Sequence, residues 1–225
     1  RVFEFAVRDA VEVAREGYIV TIGIAPTEPA TGFGYCQLGD PIAIDGAPDA
    51  HHVAAFVEKP DRETAEGYLA SGNYLWNAGM FIARADRLLA EIERSRPKLH
   101  AGLLELAAQW DDPATRAEAL ERIWPDLEAV AIDYAVAEPA ADEGALVVIP
   151  GRFGWDDIGD FAAVSKLHED AVGLAVLGDA ESVVADDATG IVVARGKRVI
   201  SLLGVQDIVV VDTEDALLIT TREHA

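Results

Sequence analysis

Apolar side chains follow helical and then strand spacing in the first part of the chain. Between residues 2 and 15 they recur at helical spacing, which predicts an amphipathic helix that ends near Gly17. Residues 18–24 (YIVTIGI) are almost all apolar and rich in β-branched side chains, which predicts a buried strand. A helix that leads at once into a buried strand is typical of an α/β fold.

The same alternation continues to about residue 150. Further strands are predicted at 33–38, 53–57, 74–84 and 145–150, and further helices at 61–70, 86–95, 99–110 and from 112 onward. Within these segments we expect Leu88, Leu89 and Ile92 to face inward, and Trp110 to lie on the apolar stripe of its helix. His51 and His52 are expected in a solvated loop. They are poor candidates to share a metal, because adjacent residues on a strand would face opposite sides.

Helical spacing disappears after Asp170. Six short apolar runs follow, separated by turn signals about every ten residues. They are GLAVLG, SVVADD, GIVVARG, RVISLLG, DIVVVDT and ALLIT. Regular short strands of this kind predict an all-β unit, with the stacked coils of a β-solenoid as the preferred architecture. The pattern therefore predicts an α/β domain over 1–170 and a β-rich region over 171–225.

Composition narrows the function classes. The chain has 225 residues, 51% of them hydrophobic, and a formal net charge of −22. This length suggests one large or two small domains, and such a negative surface argues against nucleic acid and anionic membranes as partners. The single cysteine, Cys36, excludes an internal disulfide framework and favours a reducing, cytoplasmic location. No uncharged apolar run is long enough to span a bilayer.

Two glycines flank Phe33 in a proline-stiffened loop, residues 26–40. Gly32 and Gly34 would let backbone N–H groups approach a ligand closely, although an ordinary turn into the next strand explains the same residues. At the end of strand 53–57, Glu58 and Lys59 precede a proline. Glu58 could accept hydrogen bonds from sugar hydroxyls and Lys59 could neutralise a phosphate, or the two could form a surface ion pair of little consequence.

Two further segments place polar residues among apolar ones. Asn77 and Gly79 interrupt the predicted strand 74–84, and a buried amide needs partners that either a ligand or the neighbouring backbone could supply. Residues 131–138 are expected to open the return to the sheet. There Asp133 and Tyr134 could face a ligand, although a helix cap and a core aromatic are the preferred interpretations.

The stretch FGWDDIGDF, residues 153–161, lies at a predicted strand-to-helix corner. Asp157 would project from that corner, where a carboxylate can hold a divalent cation against a phosphate. The alternative is that Asp156 or Asp157 caps the helix that follows.

Taken together, these strings resemble mannose-1-phosphate guanylyltransferases, within the wider sugar-phosphate nucleotidyltransferase family. The matching strings, in the family's order, are PTEPATGFGY, FVEKP, YLWNAGMF, IDYAVAE, FGWDDIGDF and QDIVVVDTEDALLI. The resemblance implies a Rossmann-like α/β nucleotidyltransferase domain, a mixed sheet flanked by helices, followed by a left-handed β-helix-like region that is often used in self-association. It also implies that GTP and mannose 1-phosphate react, with Mg²⁺ bridging phosphates, to give GDP-mannose and pyrophosphate.

The resemblance also implies roles for individual residues. Asp157 would bind the magnesium ion, and Asp156 would not, because the family's metal aspartate lies two residues after the tryptophan. Lys59 would bind the sugar phosphate, and it is counted with Asp157 as catalytic. The other residues implied to contact or shape the sugar pocket are Gly32, Phe33, Gly34, Glu58, Trp76, Asn77 and Gly79.

Some of the family's features do not occur in this sequence. The Gly-rich loop with an Arg and a Lys that cradles the triphosphate is not found, and neither is the other metal-binding aspartate, expected just upstream of residue 1. The chain opens with Arg1 inside a predicted helix and without a signal peptide. We therefore expect a fragment that does not turn over by itself. The alternatives are a related hexose-1-phosphate nucleotidyltransferase, a non-catalytic nucleotide-sugar-binding regulatory subunit, or a structural scaffold whose β region mediates assembly.

Overall fold

The computed structural model describes residues 1–159, 161–166 and 173–225. The chain divides into two compact units, Arg1–Trp155 and Asp156–Ala225, each described here by itself. The boundary predicted between residues 170 and 171 lies outside the described residues. In the described part of the chain, no helix is long and apolar enough to cross a membrane.

The first unit is built on a mixed five-stranded sheet that closes on itself in the order β1-β4-β2-β3-β5. The strands are β1 Ile19–Ile24, β2 Gly34–Pro41, β3 His51–Glu58, β4 Tyr74–Ile82 and β5 Leu146–Gly151. β1 and β5 run parallel, and the remaining neighbours are antiparallel. The predicted α/β class and every predicted strand of this unit are confirmed.

Helices connect and cover these strands. They are α1 Val2–Arg15, α2 Arg62–Ser71, α3 Ala85–Ser95, α4 Pro97–Ala107, α5 Pro113–Ile123 and α6 Glu138–Asp142. A 3₁₀ turn spans Trp124–Asp126 and a π-helix spans Asp133–Ala137. Asp61 begins α2 with a side-chain cap and Asp112 caps α5, as residues of this type do at helix starts.

The two faces of the sheet carry separate apolar clusters. Ala10 and Val13 of α1 are fully buried against Val20 and Ile22 of β1. On the other side, the π-helix and α6 pack small side chains such as Ala137 against the strands. All six residues of β1 are buried, which is why its sequence is almost continuously apolar.

Closure of the sheet corrects the prediction for the two histidines. His51 and His52 begin β3 rather than occupying a solvated loop, and they pair with Val148 and Val147 of β5. The His51 ring nitrogen Nδ1 lies 3.2 Å from the carbonyl oxygen of Gly39. The prediction missed this because polar loop residues precede the histidines, and the partner strand is distant in sequence.

Three helix predictions are also corrected. In α3, Leu89 is exposed and the fully buried residue is Glu91, which forms ion pairs with Arg87 and Arg94. Trp110 lies beyond the end of α4 and is 49% exposed, so it does not belong to an inward stripe. Residues 133–142 are helical rather than a return into the sheet.

Within its described residues the second unit contains helix α7 and six strands, one for each predicted apolar run. These elements are α7 Phe161–Lys166, β6 Leu174–Gly178, β7 Val183–Asp186, β8 Gly190–Ala194, β9 Ile200–Leu203, β10 Ile208–Asp212 and β11 Leu217–Thr221. 3₁₀ turns lie at Ala180–Ser182 and Arg222–His224.

From β6 to β10 the strands of the second unit alternate between two sheets, and β11 pairs antiparallel with β10 in the first of them. β6, β8 and β10 run parallel to one another, and β7 pairs in parallel with β9. Each coil therefore stacks on the next, as in a solenoid. Gly190 allows the close stacking, because its φ is +127° and a Cβ there would lie 2.0 Å from the Ile208 carbonyl oxygen.

Candidate active site

The predicted sugar-pocket segments meet at one end of the sheet in the first unit. Gly34 at the start of β2 pairs with Glu58 at the end of β3. Trp76 of β4 pairs with both Tyr35 and Ile24, and Asn77 pairs with Gly23. The strand register thus gathers residues that are far apart in sequence.

The glycine-flanked loop packs on aromatic rings. The Phe33 ring lies edge-on to Trp76, with 5.1 Å between centroids, and edge-on to Trp155 at 5.5 Å. The Phe33 carbonyl accepts a hydrogen bond from the Lys59 backbone N–H at 3.2 Å. A loop fixed in this way presents its backbone in one conformation, as a ligand-contacting loop requires.

Glu58 and Lys59 differ in their surroundings. The Glu58 side chain is only 11% exposed, whereas that of Lys59 is 61% exposed, and Lys59 Nζ lies 3.9 Å from Glu58 Oε1. Lys59 has a φ of +47°, which is uncommon for a non-glycine residue and is found most often at functional sites. The ion pair that the sequence offered as an alternative is present, but its carboxylate is largely buried rather than on open surface.

Burial raises the pKa of Glu58, and the nearby charge of Asp133 raises it further. The ammonium of Lys59 opposes this and Glu138 reinforces it. Burial raises the pKa of Glu138 as well, and the backbone N–H of Glu58 opposes this. Three carboxyl groups therefore interact at the end of β3.

Asn77 is buried, and its carboxamide is held by the protein itself. Thr21 Oγ1 donates to Asn77 Oδ1 at 2.6 Å, and the Gly79 N–H donates to the same oxygen at 3.1 Å. Asn77 Nδ2 donates to Asp133 Oδ1 at 3.1 Å. The sequence left open whether a ligand or the neighbouring backbone satisfies this buried amide. In the structure its partners are the side chains of Thr21 and Asp133 and the backbone N–H of Gly79.

Gly79 supplies the backbone geometry for this arrangement. The β1–β4 register shifts between Thr21 and Gly23, and Gly79 in the bulge has a φ of +70°. Such bulges redirect side chains beside active sites. Gly79 is exposed, so its contribution lies in its N–H and its conformation rather than in packing.

Sequence reasoning undervalues one residue and misses two others. It gives Asp133 only a weak role, and it gives Thr21 and Glu138 none. Thr21 could have been noticed as the polar residue within YIVTIGI. Tyr134, expected in the core, is 41% exposed.

Trp76 offers a donor without a partner. Its side chain is buried, yet within the described part of the chain the indole Nε1 has no hydrogen-bond acceptor. An unpaired buried N–H carries a desolvation cost. A ligand with an oxygen acceptor would relieve that cost.

Asp157 lies in the second unit, in an irregular segment with no helix or strand between residues 154 and 159. Its carboxylate is exposed, and its backbone carbonyl accepts a hydrogen bond from Gly159 N–H at 2.9 Å. Helix α7 begins at Phe161, and residue 160 is outside the described range, so the capping alternative is not tested. Among the residues described, no group of three or more His, Cys, Asp or Glu side chains could hold a metal ion.

Comparison with known proteins places both units in families. The nucleotidyl transferase family model matches residues 2–172. The chain belongs to the nucleotidyl transferase family. A second model, the MannoseP isomerase/GMP-like beta-helix domain, matches residues 181–225, which contain the stacked coils.

Curated relatives match along nearly the whole chain. A mannose-1-phosphate guanylyltransferase of Klebsiella pneumoniae is 36% identical over 100% of this chain and 46% of its own length. The mannose-1-phosphate guanylyltransferase ManC of Salmonella typhimurium is 40% identical over 99% of this chain and 45% of its own length. The chain therefore spans about half the length of the curated relatives it matches.

A solved structure shares the fold. The crystal structure from Thermus thermophilus, described as a mannose-1-phosphate geranyltransferase, has a TM-score of 0.81 and 30% identity. The match covers 99% of this chain and 61% of that one. Its extent confirms the predicted succession of an α/β domain and a β-helix-like region.

Proposed function

We propose that the protein transfers a guanylyl group from GTP to mannose 1-phosphate. A phosphate oxygen of the sugar phosphate attacks the α-phosphorus of GTP and forms a new P–O bond. The bond to the β-phosphate breaks, and its electron pair leaves with pyrophosphate. The other product is GDP-mannose.

One observation carries this proposal. At one end of the sheet the structure assembles Gly34, Glu58, Lys59, Trp76 and Asn77 from three strands. A largely buried carboxylate, an exposed cation, an indole N–H without an acceptor among the described residues and an aromatic wall suit the recognition of a sugar phosphate. The names of the relatives support mannose 1-phosphate as that ligand.

We assign the residues as follows. Ionised Glu58 accepts hydrogen bonds from sugar hydroxyls, and Lys59, free to swing towards solvent, neutralises the phosphate. The backbone of Gly32 and Gly34 contacts the sugar, and the packing of the Phe33 ring holds this loop in place. Because phosphoryl transfer needs no protein nucleophile, these groups act by positioning the reactants and balancing charge.

We propose Mg²⁺ as the cofactor, with Asp157 as one protein ligand. Its exposed carboxylate suits magnesium, which is usually held by one or two carboxylates and completed by substrate phosphates. When bound, the ion neutralises the phosphates of the nucleotide. Every other role above belongs to residues of the first unit.

The test is a pyrophosphate-release assay on the full-length protein that contains this chain, with a panel of nucleoside triphosphates and hexose 1-phosphates. We expect turnover to require GTP and mannose 1-phosphate together. A preference for another base or sugar would identify a related nucleotidyltransferase. Binding of nucleotide sugar without any turnover would instead identify a regulatory subunit.

We also propose self-association through the β-rich region. β11 lies at the edge of its sheet, and Leu217, Leu218 and Ile219 are 45%, 42% and 62% exposed. An exposed apolar edge strand is a template for pairing with a second copy. Light scattering should give a smaller mass for Ile219→Lys than for the unchanged protein, and an unchanged mass would contradict the proposal.

A further inference from the structure

Asp133 has no role in the proposed transfer, yet it lies at the centre of the pocket's polar network. It starts the π-helix Asp133–Ala137, a rare element that is frequent at functional sites. Its Oδ1 accepts the hydrogen bond from Asn77 Nδ2 at 3.1 Å. This contact joins two segments separated by 56 residues.

The Asn77 carboxamide has only one orientation that satisfies these partners. The Gly79 N–H can only donate, so it requires the oxygen of the amide on its side. An ionised Asp133 can only accept, so it requires the amide nitrogen on the other side. A flipped amide would set donor against donor and acceptor against acceptor.

Asp133 also places charge beside Glu58. The groups that act on Glu58 are Asp133 and Glu138 from the segment packed on β3, and Lys59 from its own strand end. Asp133 also acts on the buried Cys36 thiol of β2, together with Glu58 itself. Asp133 therefore adds negative charge to the surroundings of both groups.

Helix α3 holds the segment that carries Asp133. Ser95 Oγ donates to the Ala135 carbonyl at 2.5 Å, and Arg96 Nη2 donates to the Tyr134 carbonyl at 3.4 Å. Arg94 Nη2 donates to the Pro139 carbonyl at 3.1 Å. These bonds satisfy backbone carbonyls in and just beyond the π-helix, where the regular backbone hydrogen bonds of an α-helix are interrupted.

We propose that Asp133 is a positioning residue, which locks the Asn77 carboxamide and sets a fixed negative charge beside Glu58. This inference rests on the proposed function, because it is the sugar phosphate that the two positioned side chains would meet. The charge makes Glu58 hold its proton to higher pH, so sugar binding weakens as the pH falls through the pKa of Glu58.

The test uses Asp133→Asn, which keeps the shape and can keep an acceptor for Asn77 but removes the charge, and Asp133→Ala, which removes both. Asp126→Asn is the matched control, because Asp126 is an exposed carboxylate in the 3₁₀ turn Trp124–Asp126. One measurement is the NMR titration of the Glu58 carboxyl, assigned with Glu58→Gln. The other is the Michaelis constant for mannose 1-phosphate in the full-length protein.

We expect the Glu58 titration, and with it the acidic limb of kcat/KM, to move to lower pH in both Asp133 variants and to stay in place in Asp126→Asn. Asp133→Ala should also raise the Michaelis constant about tenfold, the effect of losing one hydrogen bond to a charged group. An unmoved Glu58 titration in Asp133→Asn overturns the inference, and this variant decides alone if Asp133→Ala fails to fold. An unchanged protein that shows no turnover, together with a shifted titration, would overturn only the proposed function.

Discussion

Gly34 and Glu58 face each other across the β2–β3 pair with no room for a side chain on the glycine. A Cβ at residue 34 would lie 2.6 Å from Glu58 Oε2, 2.9 Å from Phe56 Cζ and 3.4 Å from Asn77 Cβ. The Glu58 carboxylate and the Phe56 ring would both have to shift, and the carboxylate moves more easily because it is the end of a flexible side chain. Gly34 therefore limits the positions that the Glu58 carboxylate can occupy.

Gly34→Ala should weaken mannose 1-phosphate binding about tenfold, because the added methyl group displaces the Glu58 carboxylate from the sugar pocket. Calorimetric titration of the full-length protein measures the effect. Gly67→Ala is the control, since a Cβ on that α2 residue would meet nothing within 4 Å. Equal affinities for the two variants would show that Glu58 does not contact the ligand.

Lys59→Ala should weaken binding of mannose 1-phosphate about tenfold and leave binding of mannose unchanged. The side chain is 61% exposed, so its loss removes a charge for the phosphate without opening a cavity. Stability should change by less than about 1 kcal/mol, as for exposed ion pairs. The control is Lys98→Ala on α4, and a similar loss in that variant would indicate a general charge effect rather than a phosphate contact.

The fold was predictable where a local pattern determines the structure. β1 and β5 are continuous apolar runs buried in the sheet, and the coils of the second unit follow turn signals that sequence displays directly. Glu58 and Asn77 stand out in the sequence for a related reason. Each is a polar residue at a strand position that apolar neighbours make conspicuous.

Long-range pairing could not be predicted in the same way. The Asn77–Asp133 and Thr21–Asn77 hydrogen bonds each join segments separated by 56 residues, and no pattern within either segment reports its partner. The inward face of α3 was misassigned because arginines on neighbouring turns make Glu91 tolerable in the interior, which a hydrophobic periodicity cannot reveal. Closure of the sheet through His51 was equally unpredictable, because its partner Val148 lies in a strand that is distant in sequence.

Cys36 should be inert to thiol reagents in the native protein. Its side chain is fully buried, and burial raises the pKa of the thiol well above its usual range, with Asp133 and Glu58 adding to the effect. The thiolate that reacts is therefore scarce. Ellman's reagent added to the 225-residue polypeptide should react only in denaturant, and then with one equivalent, because the chain has a single cysteine. Rapid reaction without denaturant would contradict the buried position.

Asp157→Asn should raise the magnesium concentration needed for half-maximal activity of the full-length protein about tenfold or more, because one of the few protein carboxylates offered to the ion is lost. The Michaelis constant for mannose 1-phosphate, measured at saturating magnesium, should change little. Asp156→Asn is the control, as the neighbouring residue is also an exposed aspartate in the same segment. A larger rise in the required magnesium concentration for Asp156→Asn would identify Asp156, rather than Asp157, as the magnesium ligand.

Glu91→Gln should destabilise the first unit by about 2 kcal/mol. Glu91 is fully buried and accepts hydrogen bonds from Arg87 and Arg94, so the variant leaves two arginines close together without a carboxylate. Breaking a buried ion pair costs about 3–5 kcal/mol, and the arginines here reduce that cost because each retains access to water. Urea unfolding followed by tryptophan fluorescence measures it, because all four tryptophans lie within Arg1–Trp155.

The exposed neighbour Glu93 supplies the control, and Glu93→Gln should leave the midpoint of that transition unchanged.

Glu91→Gln should have a second consequence, because Arg94 also donates a hydrogen bond to the Pro139 carbonyl beside the π-helix. Once Arg94 loses Glu91, this contact is less well fixed, and the segment that carries Asp133 loosens with it. Glu91→Gln should therefore raise the Michaelis constant for mannose 1-phosphate even in buffer without urea. A destabilised variant with an unchanged constant would mean that Ser95 and Arg96 hold the π-helix without help from Arg94.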